Sequence, residues 1–199
     1  MLMLCGNLMF SQQNEDFLNT KKYFDYQRFM LNGEFQKKFD VEKNVQEKIS
    51  IKKDFSEFMI KLDSIQNTAF IRTLINVKNK EDLEKVSAKE SRSLQPTQKN
   101  NLSAEAAYPG GIETLRKQVA DLFYAGAFLP QQGTLKTSVE FTVEKDGSIR
   151  YVHADGDSFA FNRQAEIAIY LLPEKFSPAA INGNAVRYRF RLPLAMNFD

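Results

Sequence analysis

Few residues of this 199-residue chain have the type and spacing to do chemistry. His153 is the only histidine, set in an alternating segment with no cysteine near it. Acid–base or metal chemistry needs a second positioned group, and none stands at a matching spacing. Asp155-Gly156-Asp157 opens like a calcium loop, but the further acidic ligands and closing glutamate do not follow. Gly110-Gly111 precedes a helical pattern, where backbone N–H groups can take an anion, yet the rest of a phosphate-binding fingerprint is missing. Arg187, Arg189 and Arg191 are the most ordered set. A spacing of two on a strand puts all three on one sheet face. Such a stripe either pairs with Glu140 or Glu144 on a neighbouring strand or meets an acidic partner or anionic polymer. The sequence therefore predicts no catalytic, cofactor or metal site, and a protein that works by offering a surface.

Composition narrows the partners. Formal net charge is only +2, and no aromatic residues interleave the arginine stripe on its face, so nucleic acid is not expected. Residues 1–100 hold 14 Lys and 3 Arg but one proline, Pro96, whereas residues 101–199 hold five of the six prolines and seven of the nine glycines. The first half thus reads as solvated helix and the second as short strands and turns.

Residues 1–12 are largely apolar and too short to span a bilayer, which takes about 20 residues. They match the h-region of a signal peptide with a cut near Ser11–Gln13, although a basic n-region is absent; the alternative is a buried strand or helix. Leu4 before Cys5 argues against a lipoprotein box, and removal of Cys5 leaves a mature chain without cysteine. No other apolar run suggests a span in the mature chain.

Residues 13–88 carry apolar positions at helical spacing. Phe17, Phe24, Phe29, Leu31, Phe35 and Phe39 form one series, and Phe55, Phe58, Met59, Leu62, Ile65, Ala69 and Leu74 a second. Two or three amphipathic helices are expected, with Gly33 interrupting the first and Asp54–Glu57 capping a later one. Val45–Lys52 fits either a helix end or a short strand. The phenylalanines read as a packing face. Residues 89–105 have little to bury and read as a linker.

In residues 106–199, Ile112, Leu115, Val119, Leu122 and Phe123 fall on one helical face. Val139, Phe141 and Val143 alternate with polar residues as a half-buried strand, and Asp146-Gly147 supplies a tight turn to a partner at Ile149–Ala154. Asn162 is expected to cap a helix stopped by Pro173. A last strand, Ala185–Leu192, should bury Val186, Tyr188, Phe190 and Leu192 and display the three arginines.

This order resembles the TonB C-terminal domain family. The resemblance rests on Tyr108-Pro109, the strand ending in Glu144-Lys145-Asp146-Gly147-Ser148-Ile149, the stretch Phe176-Ser177-Pro178-Ala179, Asn182-Gly183 and the terminal Val186–Pro193 strand. It covers residues 106–199 and leaves the N-terminal half unassigned. It implies an α+β domain of two helices against a small antiparallel sheet. It also implies a periplasmic setting and a partner such as an envelope or outer-membrane protein, a receptor segment for instance, gripped by strand addition. Arg187, Arg189, Arg191 and Tyr188 are then the expected partner-binding residues. The alternative is a TonB-type energy transducer for outer-membrane transport whose anchor is missing from the gene model. Against it, the chain lacks the long Pro-rich spacer of such transducers.

Overall fold

The computed structural model describes residues 14–88, 102–128 and 133–198. The segment expected to be a signal peptide and most of the expected linker lie outside them. The architecture is α+β: an N-terminal helical hairpin, two shorter helices, and a three-stranded antiparallel sheet with a small two-stranded one beside it.

Helix α1 spans Glu15–Val41 and α2 spans Val45–Ala88. Asn14 caps α1 by accepting from the Asp16 N–H at 3.0 Å. Asn44 does the same for α2, accepting from Gln46 N at 2.8 Å. Two helices therefore account for the region. Gly33 does not interrupt α1, since the hairpin contacts on either side outweigh its weak propensity. Asp54–Glu57 lies inside α2, and the ambiguous Val45–Lys52 is its helical start. The two helices run antiparallel. Phe35 stacks on Phe55 at 4.2 Å, the Arg28 guanidinium donates to Asp63 and Gln66, and the Thr20 and Thr73 hydroxyls meet at 2.9 Å.

Helix α3 spans Gly111–Asp121, and Gly110 at φ +76° makes the turn into it. Strand β1 is Gly133–Val143, β2 is Ile149–Gly156, and α4 is Phe159–Tyr170. Ser158, not Asn162, caps α4, its hydroxyl accepting from Phe161 N. The helix begins one turn earlier than expected because Phe161 is buried against the core and its N–H meets the Ser158 hydroxyl. Strands β3 (Ala179–Ile181) and β4 (Asn184–Val186) turn through Asn182-Gly183, and β5 is Tyr188–Phe198. The expected single terminal strand is thus two strands. The chain leaves the small sheet at Val186 and enters the main one at Tyr188, then runs on past Pro193. Burial alternates as expected: Tyr188 and Leu192 are buried, and Val186 and Phe190 pack partly against the same core.

The sheet order is β2-β1-β5, antiparallel throughout. Among the described residues one core joins the base of the helical hairpin to the sheet and the shorter helices. Phe17 of α1 and Phe70, Leu74 and Val77 of α2 share it with Leu115, Val119, Val139, Phe141, Ile169 and Leu192. Leu102–Glu105, expected as linker, carry pairing of their own: Ser103 N and Ala104 N donate to Ala180 O at 2.8 and 3.2 Å. Among the described residues, no helix is long and apolar enough to cross a membrane.

The β1–β2 turn also carries a pH dependence. The Asp146 carboxylate accepts from the Ser148 N–H (3.0 Å), the Ser148 hydroxyl (2.6 Å) and Lys175 Nζ (3.1 Å). Burial alone would raise its pKa, but these bonds to the charged form outweigh that and hold it at about 2, below its ordinary 3.8. The folded state then binds the proton less readily than the unfolded chain. The contribution is complete above 3.8 and is lost as pH falls towards about 2. Urea melts of wild type and Asp146→Asn should therefore differ near pH 5 and converge at about pH 2. A difference that stays constant with pH would remove Asp146 as its source.

Candidate functional site

A three-stranded sheet has two edges, and each exposes a row of N–H and C=O groups unless something covers it. Here the two edges differ. On β2 the outward donors are taken by side chains from two helices. Tyr151 N donates to Glu81 Oε1 of α2 at 3.0 Å, Val152 N to the Tyr170 hydroxyl of α4 at 3.3 Å, and Ala154 N to Glu166 Oε1 of α4 at 3.0 Å. These acceptors are themselves held. Tyr170 donates to both oxygens of Glu81 at 3.1 and 3.0 Å, while Lys78 Nζ and the Arg163 guanidinium bind Glu166 at 2.6 and 2.8 Å. Both carboxylates are buried, with Glu81 5% and Glu166 1% exposed. Burial pushes the Glu81 carboxyl above its ordinary pKa, opposed by the Tyr151 N–H and the Tyr170 hydroxyl.

The local backbone is shaped to reach these acceptors. The β1–β2 register shifts between Glu140 and Thr142, so Tyr151 and Val152 both lie opposite Phe141. Tyr151 takes φ +57°, a strained region for an aromatic residue. Its ring sits beneath Lys85 Nζ at 4.8 Å and the Arg150 guanidinium at 5.1 Å, which adds cation–π attraction at the bulge.

The β5 edge has no such cover among the described residues. Its inner side pairs with β1 without a break, from Gly133↔Phe198 to Val143↔Tyr188, and no described strand joins its outer side. Pro193 sits within it opposite Ser138. Proline has no N–H to donate, so it sits where the strand's hydrogen-bonding groups point away from β1. Residues 189, 191 and 195 share that outward direction by the two-residue alternation of an antiparallel strand.

The three arginines do project from the solvent face, but they are not equivalent. Arg187 is held by Glu144, Nε to Oε2 at 2.6 Å, with both side chains largely covered. Arg191 donates to the Ser138 hydroxyl at 2.9 Å and lies 3.6 Å from Glu140. Arg189, opposite Thr142, has no carboxylate within 4 Å among the described residues. It lines a hollow of about 360 Å³ with Lys85, Tyr151 and His153 on the same face. Tyr188, expected at the partner surface, has a buried ring that meets Phe190 at 6.3 Å, and its backbone opposite Val143 faces β1, so it lies off the open edge.

His153 is exposed, with Nδ1 3.8 Å from Glu166 Oε1. Asp157 serves the fold, accepting from Lys136 N at 2.9 Å. Among the described residues no three His, Cys, Asp or Glu side chains are grouped to hold a metal. Sequence reasoning missed Glu81, Tyr170 and Glu166, the groups that make the two edges unequal. A glutamate on the apolar face of α4 was the one available signal. Comparison of the chain with family models, curated proteins and solved structures returns no match.

Proposed function

We propose that this protein is an exported, periplasmic protein-interaction module that binds an extended segment of a partner as an added strand on β5. The observation that carries the reading is the asymmetry of the sheet. Three side-chain acceptors close the β2 edge, while the β5 edge keeps its outward backbone groups. Strand addition needs such an edge and gains its affinity from main-chain hydrogen bonds. Arg189 then favours an acidic residue beside the docking segment and speeds encounter at low salt. The apolar first residues and the resemblance to TonB C-terminal domains support export and an envelope partner. Of the expected contact residues, Arg189 and Arg191 contribute side chains, Arg187 is committed to Glu144, and Tyr188 belongs to the core and the β1 ladder.

Ala195→Pro tests this reading. It removes an outward N–H at a position in phase with Pro193 and leaves the β1–β5 ladder intact. Affinity capture from an envelope extract should yield a partner with the wild type and lose it with Ala195→Pro, at equal thermal stability. Arg189→Glu should weaken capture about tenfold or less, and more so at low salt. Equal capture by the wild type and Ala195→Pro would move binding away from this edge.

A further inference from the structure

The hollow on the solvent face of the sheet has a charged lining. It spans about 360 Å³ and crosses all three strands, from Arg189 of β5 over Glu140 and Thr142 of β1 to Tyr151 and His153 of β2, with Lys85 of α2 beside Tyr151. That size is at the lower end of the range of about 300–1,000 Å³ found for small-molecule sites. Thr142 stands in the middle strand, opposite Arg189 on one side and Arg150 on the other.

Most charges in and around this hollow are matched within the fold. Arg187 is held by Glu144 at 2.6 Å, Glu140 is drawn towards Arg191 at 3.6 Å, and Arg150 binds Glu84. Arg189 keeps a full positive charge with no carboxylate within 4 Å among the described residues. Lys85 adds a second cation. Its ammonium lies 4.8 Å over the Tyr151 ring, and its ion pair with Asp82 at 3.0 Å is an exposed pair within one helical turn, which contributes little. Tyr151 holds its ring there from a backbone at φ +57°, strain of the kind that proteins keep at functional sites.

We propose that this hollow binds a terminal phosphate group, free or at the end of a monoester, between Arg189 and Lys85. The planar guanidinium of Arg189 donates to two phosphate oxygens in parallel, and the Lys85 ammonium and the Thr142 hydroxyl donate to the third. A carboxylate has only two oxygens, so Arg189 alone would satisfy it and the other donors would add nothing. Two cations also match the charge of a phosphate monoester, about −1.5 to −2 at pH 7. The site does not rest on strand addition. Its donors rise off the face of the sheet, whereas an added strand uses backbone groups in the sheet plane.

The test titrates the purified full chain with sodium phosphate at constant ionic strength, followed by heteronuclear NMR. Phosphate should shift the amide signals of Thr142, Tyr151 and Arg189 in one saturable process, and should bind about tenfold more tightly than acetate. Arg189→Gln should weaken phosphate about tenfold, the worth of one charge-assisted pair, and Lys85→Met about threefold, at unchanged thermal stability. Ala195→Pro should leave phosphate binding intact, so that loss of strand capture and loss of this site are told apart. Glycerol phosphate and vesicles containing phosphatidic acid separate the sources. Vesicle binding that free phosphate displaces assigns a lipid head group, and binding of the soluble ester alone assigns a soluble phosphate. Equal affinity for acetate and phosphate overturns the proposal, as does a wild type whose signals phosphate does not move. So does unchanged affinity in Lys85→Met, a substitution on an exposed helical turn that keeps the comparison available even if Arg189→Gln does not fold.

Discussion

Phe17→Ala will lower the stability of the whole protein by about 3–5 kcal/mol, although Phe17 lies more than a hundred residues from the sheet in sequence. The ring is fully buried, stacked on Tyr170 of α4 at 5.1 Å and near Phe70 of α2 at 6.0 Å. Truncation leaves a cavity between three helices. It also loosens Tyr170, whose hydroxyl takes the Val152 N–H and donates to Glu81. A urea melt followed by far-ultraviolet circular dichroism should show one transition, shifted as a unit. If instead a helical phase moves while the sheet's transition stays fixed, the hairpin and the sheet do not fold on a common core.

Gly147→Val will cost about as much, for two reasons that add. Gly147 sits at φ +80°, where a β-branched residue loses on the order of 1–2 kcal/mol. A Cβ there would also lie 2.1 Å from the Phe176 carbonyl oxygen, a contact with backbone that a rotamer change cannot relieve. Phe176 cannot retreat easily. Its N–H donates to Gly147 O at 3.1 Å, and its ring packs on Tyr108, Phe141 and Phe190 at 5.0, 5.6 and 5.3 Å. Gly183 is the control. It has the same φ of +80° but nothing within 4 Å of a built Cβ. Gly183→Val should therefore show the backbone cost alone, and thermal melts should separate the two variants by about 2 kcal/mol or more. Equal melting temperatures would mean that the Phe176 contact relaxes freely.

What could be read from the sequence depended on how local its cause is. The alternation of Val139, Phe141 and Val143, the turn at Asp146-Gly147, and the periodic phenylalanines of the hairpin each rest on interactions within a few residues. The hydrophobic period and the turn geometry specify them directly. The α+β architecture was implied by the family resemblance that their order carries. Helix starts were less legible, because Asn162 and Ser158 are both competent caps and only the burial of Phe161 favours the earlier one. The arginine stripe was legible as a face but not as three different groups. Glu144 and Ser138 commit two of its members, and that depends on which residues of β1 stand opposite β5.

The open edge, on which the functional reading turns, was decided by tertiary structure alone. Two strands of similar pattern, β2 and β5, end on the outside of the sheet. Glu81 reaches Tyr151 across 70 positions of sequence, and Glu166 binds Lys78 across 88. A glutamate in a charged helix carries no mark of the N–H it will accept. Hydrogen bonds of such reach depend on where the core places α2 against β2. Phe17, Leu74 and Tyr170 settle that placement by excluding water together, and no window of neighbouring residues contains all three.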